Sequence, residues 1–175
     1  NDFALDHKDI RRAYQEVFSR ATSRIFVTNA YFLPPTKMLK ALAAAARRGV
    51  RVCVILAATT DVKLVLFAAR GLYPRLLKSG IEVYEWAAGR VLHAKTAVVD
   101  GTWATVGSSN LDPLSMRQNL EVNAIVKEPN FGAALEKMFL EDLDQCRRIS
   151  LSEVQQYGLI QRLLSWFAFR LRHWL

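Results

Sequence analysis

Residues 93–100 read HAKTAVVD and residues 107–110 read GSSN, which together give the pattern H-x-K-x4-D-x6-G-S-x-N. The apolar runs in this region are of strand length. They are separated by Asp-Gly at 100–101, a strong hairpin signal because both residues tolerate positive φ. We therefore predict two strands, 94–99 and 102–107, joined by a tight turn.

The polar residues of this pattern suit chemistry at phosphorus. A histidine and a lysine two positions apart on a strand project from the same face of the sheet, as His93 and Lys95 would. A neutral imidazole can attack phosphorus, while a lysine ammonium and the side chains of Ser108 and Asn110 can hold the phosphoryl oxygens. This chemistry needs no metal ion and no cofactor.

Outward from this stretch, the chain alternates between strand-like and helix-like patterns. Residues 50–57 form a nearly continuous apolar run, as expected for a strand buried on both faces. The pattern predicts an α/β fold, a mixed β-sheet sandwiched between helices. The predicted strands are 24–31, 50–57, 81–86, 94–99, 102–107 and 120–127, and the predicted helices are 7–23, 36–48, 61–79, 131–148 and 154–174.

Length and composition limit the number of domains and the classes of partner that the chain can have. The 175 residues are 51% hydrophobic, which suits one domain with a real core, and the net charge is +8. That charge fits anionic lipid headgroups or nucleic acid without choosing between them. We find no run long and apolar enough for a transmembrane helix and no signal peptide. Because the first residue is Asn, we expect a piece of a longer protein. Cys53, in a strand pattern, and Cys146, in a helical one, form no metal or redox spacing.

The motif resembles the HKD motif of the phospholipase D superfamily, whose members cleave or exchange phosphodiesters through a phosphohistidine. The resemblance extends to the C-terminal half of bacterial cardiolipin synthases at residues 29–34, 45–52, 103–115 and 119–123. It covers residues 8–145 and loosens beyond them. It implies a phospholipase D-like domain over 1–150, followed by a C-terminal amphipathic helical extension over 151–175.

The resemblance also implies roles for individual residues. His93 would be the nucleophile and Lys95 a second catalytic residue. Glu121 would accept the Nδ1 proton of His93 and leave Nε2 free to attack. Asp100 is the motif's aspartate, but an Asp-Gly turn explains it equally well, so a catalytic and an architectural role both stay open.

Substrate binding is expected at Ser108, Asn110 and Tyr31. For Tyr31 the expectation rests on its likeness to the family segment that lines the entrance, and aromatic residues at strand ends are commonly core residues. His7-Lys8-Asp9 has the three residue types of the HKD motif, but they are consecutive and lack its H-x-K-x4-D spacing, so we set this segment aside.

The mechanism implied by the resemblance needs two histidines. One attacks phosphorus, and the other protonates the leaving alcohol and then deprotonates the incoming one. With phosphatidylglycerol as both substrates, the product is cardiolipin. This chain holds one such motif, so the second would come from another part of the same protein or from a homodimer. The implied location is the cytoplasmic side of the bacterial inner membrane, with peripheral contact.

Three alternatives remain at this stage. A homodimeric phosphodiesterase or nuclease of the same superfamily would use the positive charge for nucleic acid, and a phospholipid hydrolase would use water as acceptor. A non-catalytic scaffold would keep the motif as a relic. Nucleic acid is disfavoured, because the C-terminal segment combines basic residues with Trp and Phe, as interfacial helices do. That segment could equally pack on the domain or on a missing half. Its predicted apolar face comprises Leu159, Ile160, Leu163, Leu164, Trp166, Phe167, Leu171 and Trp174.

Overall fold

The computed structural model describes residues 6–170, apart from the side chains of residues 6–8, 160 and 162. Within that range the chain forms six helices and seven strands. The helices are α1 (Asp6–Arg20), α2 (Thr36–Arg47), α3 (Lys63–Lys78), α4 (Pro129–Leu143), α5 (Leu151–Gln155) and α6 (Leu159–Arg170). The strands are β1 (Arg24–Asn29), β2 (Arg51–Ala57), β3 (Glu82–Trp86), β4 (Lys95–Val99), β5 (Trp103–Gly107), β6 (Asn123–Val126) and β7 (Cys146–Ile149).

All seven strands belong to one mixed sheet in the order β6-β5-β4-β1-β2-β3-β7. Strands β1, β2 and β3 are parallel, as their helical crossovers require, and the remaining pairings are antiparallel. Helices cover both faces, so the predicted fold class is confirmed.

Two hydrophobic cores lie on opposite faces of the sheet, because successive strand residues point to opposite sides. On β1, Ile25 packs into the larger core, which also holds side chains of α1, α2 and α3. Its neighbour Phe26 packs into the smaller core and stacks on Phe139 of α4, with ring centroids 4.7 Å apart. Residues 52–57 of β2 are buried throughout, as predicted.

The C-terminal third differs from the prediction. The helix predicted over 131–148 ends at Leu143, and the residues Cys146–Ile149 form edge strand β7, antiparallel to β3. Cys146 is therefore on a strand rather than a helix. The contact that holds β7 is distant in sequence: Arg147 donates to the buried carboxylate of Glu85 at 2.8 Å. Strand β6 also begins three residues later than predicted, at Asn123.

The predicted helix over 154–174 is two helices. The Ser150 hydroxyl caps α5 by accepting from the backbone N–H of Glu153 at 3.1 Å. Residues 156–158 are not helical and separate α5 from α6. Helix α6 packs against α3 through buried Ser165 and Ala168, and Gly71 lets the two helices approach closely. Packing on the domain is thus established for one side of α6. Predicted face residues Leu171 and Trp174 lie outside the described residues.

The predicted hairpin is confirmed. Asp100 and Gly101 have φ angles of 52° and 67°, and β4 pairs antiparallel with β5. The Asp100 carboxylate accepts five hydrogen bonds of 2.9 to 3.1 Å, from the backbone and hydroxyl groups of Thr22 and Ser23 and the backbone of Arg24. Partial burial opposes ionisation, but these donors outweigh it and lower the pKa of Asp100 to about 2.

The first prediction concerns this carboxylate. Asn tolerates positive φ, so Asp100→Asn should keep the turn but lower the free energy of unfolding by about 2 kcal/mol near pH 6, because charge-assisted hydrogen bonds are lost. A carboxyl with a lowered pKa stabilises the fold above its ordinary pKa, and that stabilisation is lost as the pH falls towards 2. Urea unfolding should therefore show a difference in unfolding free energy between the parent and Asp100→Asn that shrinks below pH 4. A gap independent of pH would contradict the assignment.

Candidate functional site

Four neighbouring strands bring the site together at one edge of the sheet. The register pairs Asn29, which ends β1, with Lys95, which begins β4, and pairs Gly107, which ends β5, with Asn123, which begins β6. Because β4 is antiparallel to both β1 and β5, the ends of β1 and β5 meet the starts of β4 and β6. The residues just before β4 and just after β5 are therefore neighbours.

His93 and Lys95 lie where the motif predicts them. His93 is exposed in the segment that leads into β4, and Lys95 is 5% exposed. The Lys95 ammonium donates to the backbone carbonyl of His93 at 2.6 Å. Burial lowers the pKa of Lys95, and the nearby carboxylates of Glu121 and Asp112 partly offset that shift. An ammonium has three donors, so two remain for a ligand.

The loop after β5, residues 108–112, supplies the other polar groups. Ser109 is fully buried, and its backbone N–H donates to Oδ1 of Asn123 at 3.2 Å. Oδ1 of Asn110 accepts from the backbone N–H of Tyr31 at 3.3 Å, while its Nδ2 makes no hydrogen bond to any described residue. The geometry thus leaves an amide donor of Asn110 free beside the strand ends.

Glu121 lies in the site but contacts another partner than expected. Its carboxylate accepts from the Ser108 hydroxyl and, at 3.4 Å, from Nδ2 of Asn119. The Ser108 hydroxyl in turn accepts from the backbone N–H of Val122 at 3.1 Å. Among the described residues, no hydrogen bond joins Glu121 to His93, so the role of Glu121 in setting the histidine tautomer stays a prediction.

Asp100 is not brought to this site. It follows β4 at the end opposite His93, and five strand residues at about 3.3 Å each put it roughly 16 Å or more away. The hydrogen bonds of its carboxylate go to Thr22 and Ser23, just before β1, and to Arg24, which begins β1. The architectural interpretation of the motif's aspartate fits this position, and we assign no catalytic contact to it.

Tyr31 borders the site through its backbone, while its hydroxyl points elsewhere. The hydroxyl donates to Oδ1 of Asp61 at 2.6 Å, and this bond raises the pKa of Tyr31. Its N–H holds Asn110. Substrate contact by the Tyr31 ring remains a prediction.

Three buried or half-buried residues that support the site were not predicted. Asn29 is 1% exposed, and its Oδ1 accepts from the N–H of Leu111 at 3.0 Å, while its buried Nδ2 has no partner among the described residues. Asp112 is buried, accepts from the N–H of Ser115 at 2.8 Å, and has a pKa raised by burial. Asn123 anchors Ser109 as described above. Asn29 and Asn123 contact residues 82 and 14 positions away, so their contacts could not be predicted from local pattern. The available signals were the place of all three residues at strand ends and turns, and the family-like segment 119–123 for Asn123.

Gly107 is required by the same packing. A Cβ at this position would collide with the backbone carbonyl of Val122 and the side-chain oxygen of Asn123. No group of three or more His, Cys, Asp or Glu side chains able to hold a metal ion occurs within the described part of the chain.

The comparisons with known proteins agree with this geometry. The fold, and the convergence of these residues at one sheet edge, define a phospholipase D-like domain. Residues 14–143 match the family model described as "Cardiolipin synthase, PLD-like domain", and the chain belongs to that family. The predicted resemblance to this family is confirmed.

Curated relatives are cardiolipin synthases. The chain is 46% identical over 131 residues to cardiolipin synthase B of Escherichia coli O6:H1, which covers 74% of this chain and 32% of the relative. It is 34% identical over 155 residues to cardiolipin synthase of Geobacillus sp. (strain WCH70), and this match covers 89% of this chain and 31% of the relative. The chain thus spans about a third of the length of these relatives.

Solved structures show the same fold. Nuc from Salmonella typhimurium, a phospholipase D family member, superposes with a TM-score of 0.67 at 24% identity, covering 79% of this chain and 90% of Nuc. Phosphatidylserine synthase of Haemophilus influenzae superposes with a TM-score of 0.78 at 17% identity, covering 95% of this chain and 45% of the synthase.

The second prediction tests the anchor of the loop. Replacing Asn123 by Ala leaves the Ser109 N–H and the Thr105 hydroxyl without their partner, which should cost about 2 kcal/mol of unfolding free energy. Amide hydrogen exchange at Ser109 should accelerate selectively. Exposed Asn130 gives a matched control, and Asn130→Ala should leave exchange at Ser109 unchanged. Unchanged exchange in Asn123→Ala would contradict the role of Asn123.

Proposed function

We propose that this chain is the second HKD half of a phosphatidyltransferase that makes cardiolipin from phosphatidylglycerol through a phosphohistidine on His93. The observation that carries the proposal is the position of exposed His93 at the sheet edge, with the donors of Lys95 and Asn110 beside it. Family membership supports a phospholipid substrate, since the curated relatives are cardiolipin synthases.

In the proposed first step, Nε2 of His93 attacks phosphorus of one phosphatidylglycerol, and the P–O bond to the departing glycerol breaks. A second histidine donates a proton to that glycerol. The two free donors of Lys95 and the Nδ2 group of Asn110 hold the non-bridging oxygens, where negative charge develops. Because Lys95 is buried, its charge acts in a medium of low dielectric and is worth more than in water.

In the second step, a hydroxyl of another phosphatidylglycerol loses its proton to the second histidine. Its oxygen attacks phosphorus, the P–N bond to His93 breaks, and cardiolipin is released. The same histidine therefore acts first as acid and then as base. Water in place of the second lipid would give hydrolysis.

The second histidine belongs, in this proposal, to another HKD half of the complete protein or to a second copy. The matched part of the chain covers about a third of the length of the relatives, and the chain covers 45% of the superposed synthase. An apolar rim flanks the site: Val91, Leu120 and Val122 are 69%, 84% and 79% exposed. Large exposed aliphatic side chains beside a site favour burial against a partner surface.

The third prediction concerns the nucleophile. In the complete protein, His93→Ala should reduce cardiolipin formation from phosphatidylglycerol by at least about a thousandfold, because no other described residue replaces the imidazole. Chromatography of radiolabelled lipid products measures the rate. His7→Ala is the matched control, since His7-Lys8-Asp9 lacks the motif spacing, and it should retain full activity. Retained activity in His93→Ala would contradict the proposal, and cleavage of DNA but not of lipid by the parent would favour the nuclease alternative.

Peripheral membrane contact is proposed for the side of α6 that faces away from α3. Leu159, Leu163, Trp166 and Phe167 are each more than half exposed, and the Arg170 guanidinium lies 5.3 Å from the Trp166 ring centroid. Exposed Trp and Phe beside a cation suit the headgroup region of an anionic bilayer. Within residues 6–170, no helix is long and apolar enough to cross a membrane. The proposed location is the cytoplasmic face of the inner membrane.

The fourth prediction tests this surface. Trp166→Ala with Phe167→Ala should weaken co-sedimentation of the complete protein with phosphatidylglycerol vesicles by about tenfold, because two exposed aromatic groups no longer enter the interface. Phe131→Ala with Leu140→Ala removes comparable exposed apolar groups from α4 and should change little. Equal effects of the two pairs would contradict a specific role of α6.

A further inference from the structure

A cavity of about 290 Å³ lies beside the proposed active site and is not used by the mechanism described above. Its walls come from three separate parts of the chain: α1, the segment between β1 and α2 with the first turn of α2, and the segment that follows the 108–112 loop. Three prolines, at 34, 35 and 113, line it. Because proline has a fixed φ, this part of the wall is preorganised rather than flexible.

The cavity is electropositive. Arg11, Lys37 and Arg117 line it, with Gln15 as a further polar group, and its lining contains no carboxylate. Arg11 is half-buried rather than fully exposed. None of the three cations forms an ion pair with a described side chain. By contrast, the arginines at 20, 24, 51, 70, 147 and 148 each lie within 4 Å of a carboxylate.

Two hydrogen-bonded segments connect this cavity to the proposed active site. Tyr31 holds Asn110 at 3.3 Å, and the Leu33 N–H donates to the Leu111 carbonyl at 2.7 Å. The same two segments then continue directly into the cavity wall, at Pro34 and Pro113. The cavity therefore shares a wall with the loop that holds Ser108 and Asn110.

Resting on the proposed function, we propose that this cavity binds the phosphodiester of the second phosphatidylglycerol, the acceptor lipid. Cardiolipin carries two phosphates joined by a glycerol, and the groups around His93 hold only the one that reacts. The acceptor phosphate is a second anion at a fixed offset from its reacting hydroxyl, so it needs cations of its own. Arginine suits it because the guanidinium donates two parallel hydrogen bonds to phosphate oxygens.

The test uses two charge-matched double variants of the complete protein. Arg11→Gln with Lys37→Gln removes two cations from the cavity. Arg12→Gln with Lys40→Gln removes two exposed cations from the same helices, α1 and α2, outside the cavity. The two variants have the same net charge, so a difference between them reports the site rather than the general field of the protein.

Two rates are measured for each form. Release of glycerol, with water as acceptor, reports the donor half-reaction, and cardiolipin formation at rising phosphatidylglycerol reports the acceptor. We expect the cavity variant to raise the acceptor concentration for half-maximal rate by about tenfold, with donor turnover within about twofold of the parent. The control variant should match the parent in both. Equal behaviour of the two variants would overturn the inference.

Direct binding separates the possible anions. In calorimetry, glycerophosphoglycerol, the soluble headgroup, should bind the parent and the control more tightly than the cavity variant. Binding of inorganic phosphate but not of glycerophosphoglycerol would overturn the lipid assignment. If the parent releases no glycerol at all, the proposed function fails, which is distinguishable from a cavity variant that behaves like its control.

Discussion

The register of β4 against β1 decides where every site residue lies. A strand shifted by one residue turns all its side chains to the opposite face, so Lys95 would leave the site if β4 slipped. Asp100 opposes such a slip from the far end of the strand. Its carboxylate holds the three residues before and at the start of β1, while its own N–H donates to the Arg24 carbonyl at 3.0 Å. Asp100 thus helps to fix the register of the strand that carries Lys95, while its carboxylate bonds only to residues 22–24.

The same register explains why the support of the site is buried. Asn29 lies opposite Lys95, and Asn123 lies opposite Gly107, so each polar strand end has an amide side chain beside it. These amides hold the backbone of the loop that carries Ser108 and Asn110. Exposed His93 therefore lies beside donors whose backbone is held by buried side chains, and such an arrangement suits the preorganisation that electrostatic catalysis requires.

Much of the fold was predictable because its signals are local. The Asp-Gly turn, the apolar run of β2 and the Ala-rich α2 each follow from a few adjacent residues. Strand β7 was not predictable in this way, since it lies at the sheet edge and its contacts, the pairing with β3 and the salt bridge between Arg147 and Glu85, are distant in sequence. Its sequence, CRRI, continues the helical pattern of α4, and the strand that it pairs with, β3, lies far earlier in the chain.

The candidate site likewise combines features that local sequence predicts with contacts that are distant in sequence. Spacing predicted that His93, Lys95, Ser108 and Asn110 lie near one another, because the motif fixes their positions relative to two paired strands. The residues that support this segment come from elsewhere in the chain, so spacing could not reveal the hydrogen bond from Leu111 to Asn29 or the one from Ser108 to Glu121. The electropositive cavity was equally hidden, since its cations are separated by up to about a hundred residues and meet only in the folded domain.

The central claim is that His93 becomes covalently bonded to phosphorus, and mass spectrometry tests it most directly. The complete protein is mixed with short-chain phosphatidylglycerol, quenched within the first turnover and digested. We predict a phosphatidyl adduct on the peptide that contains His93, absent when His93 is replaced by Ala. Turnover with no adduct on this peptide, or an adduct on a different residue, would contradict the account.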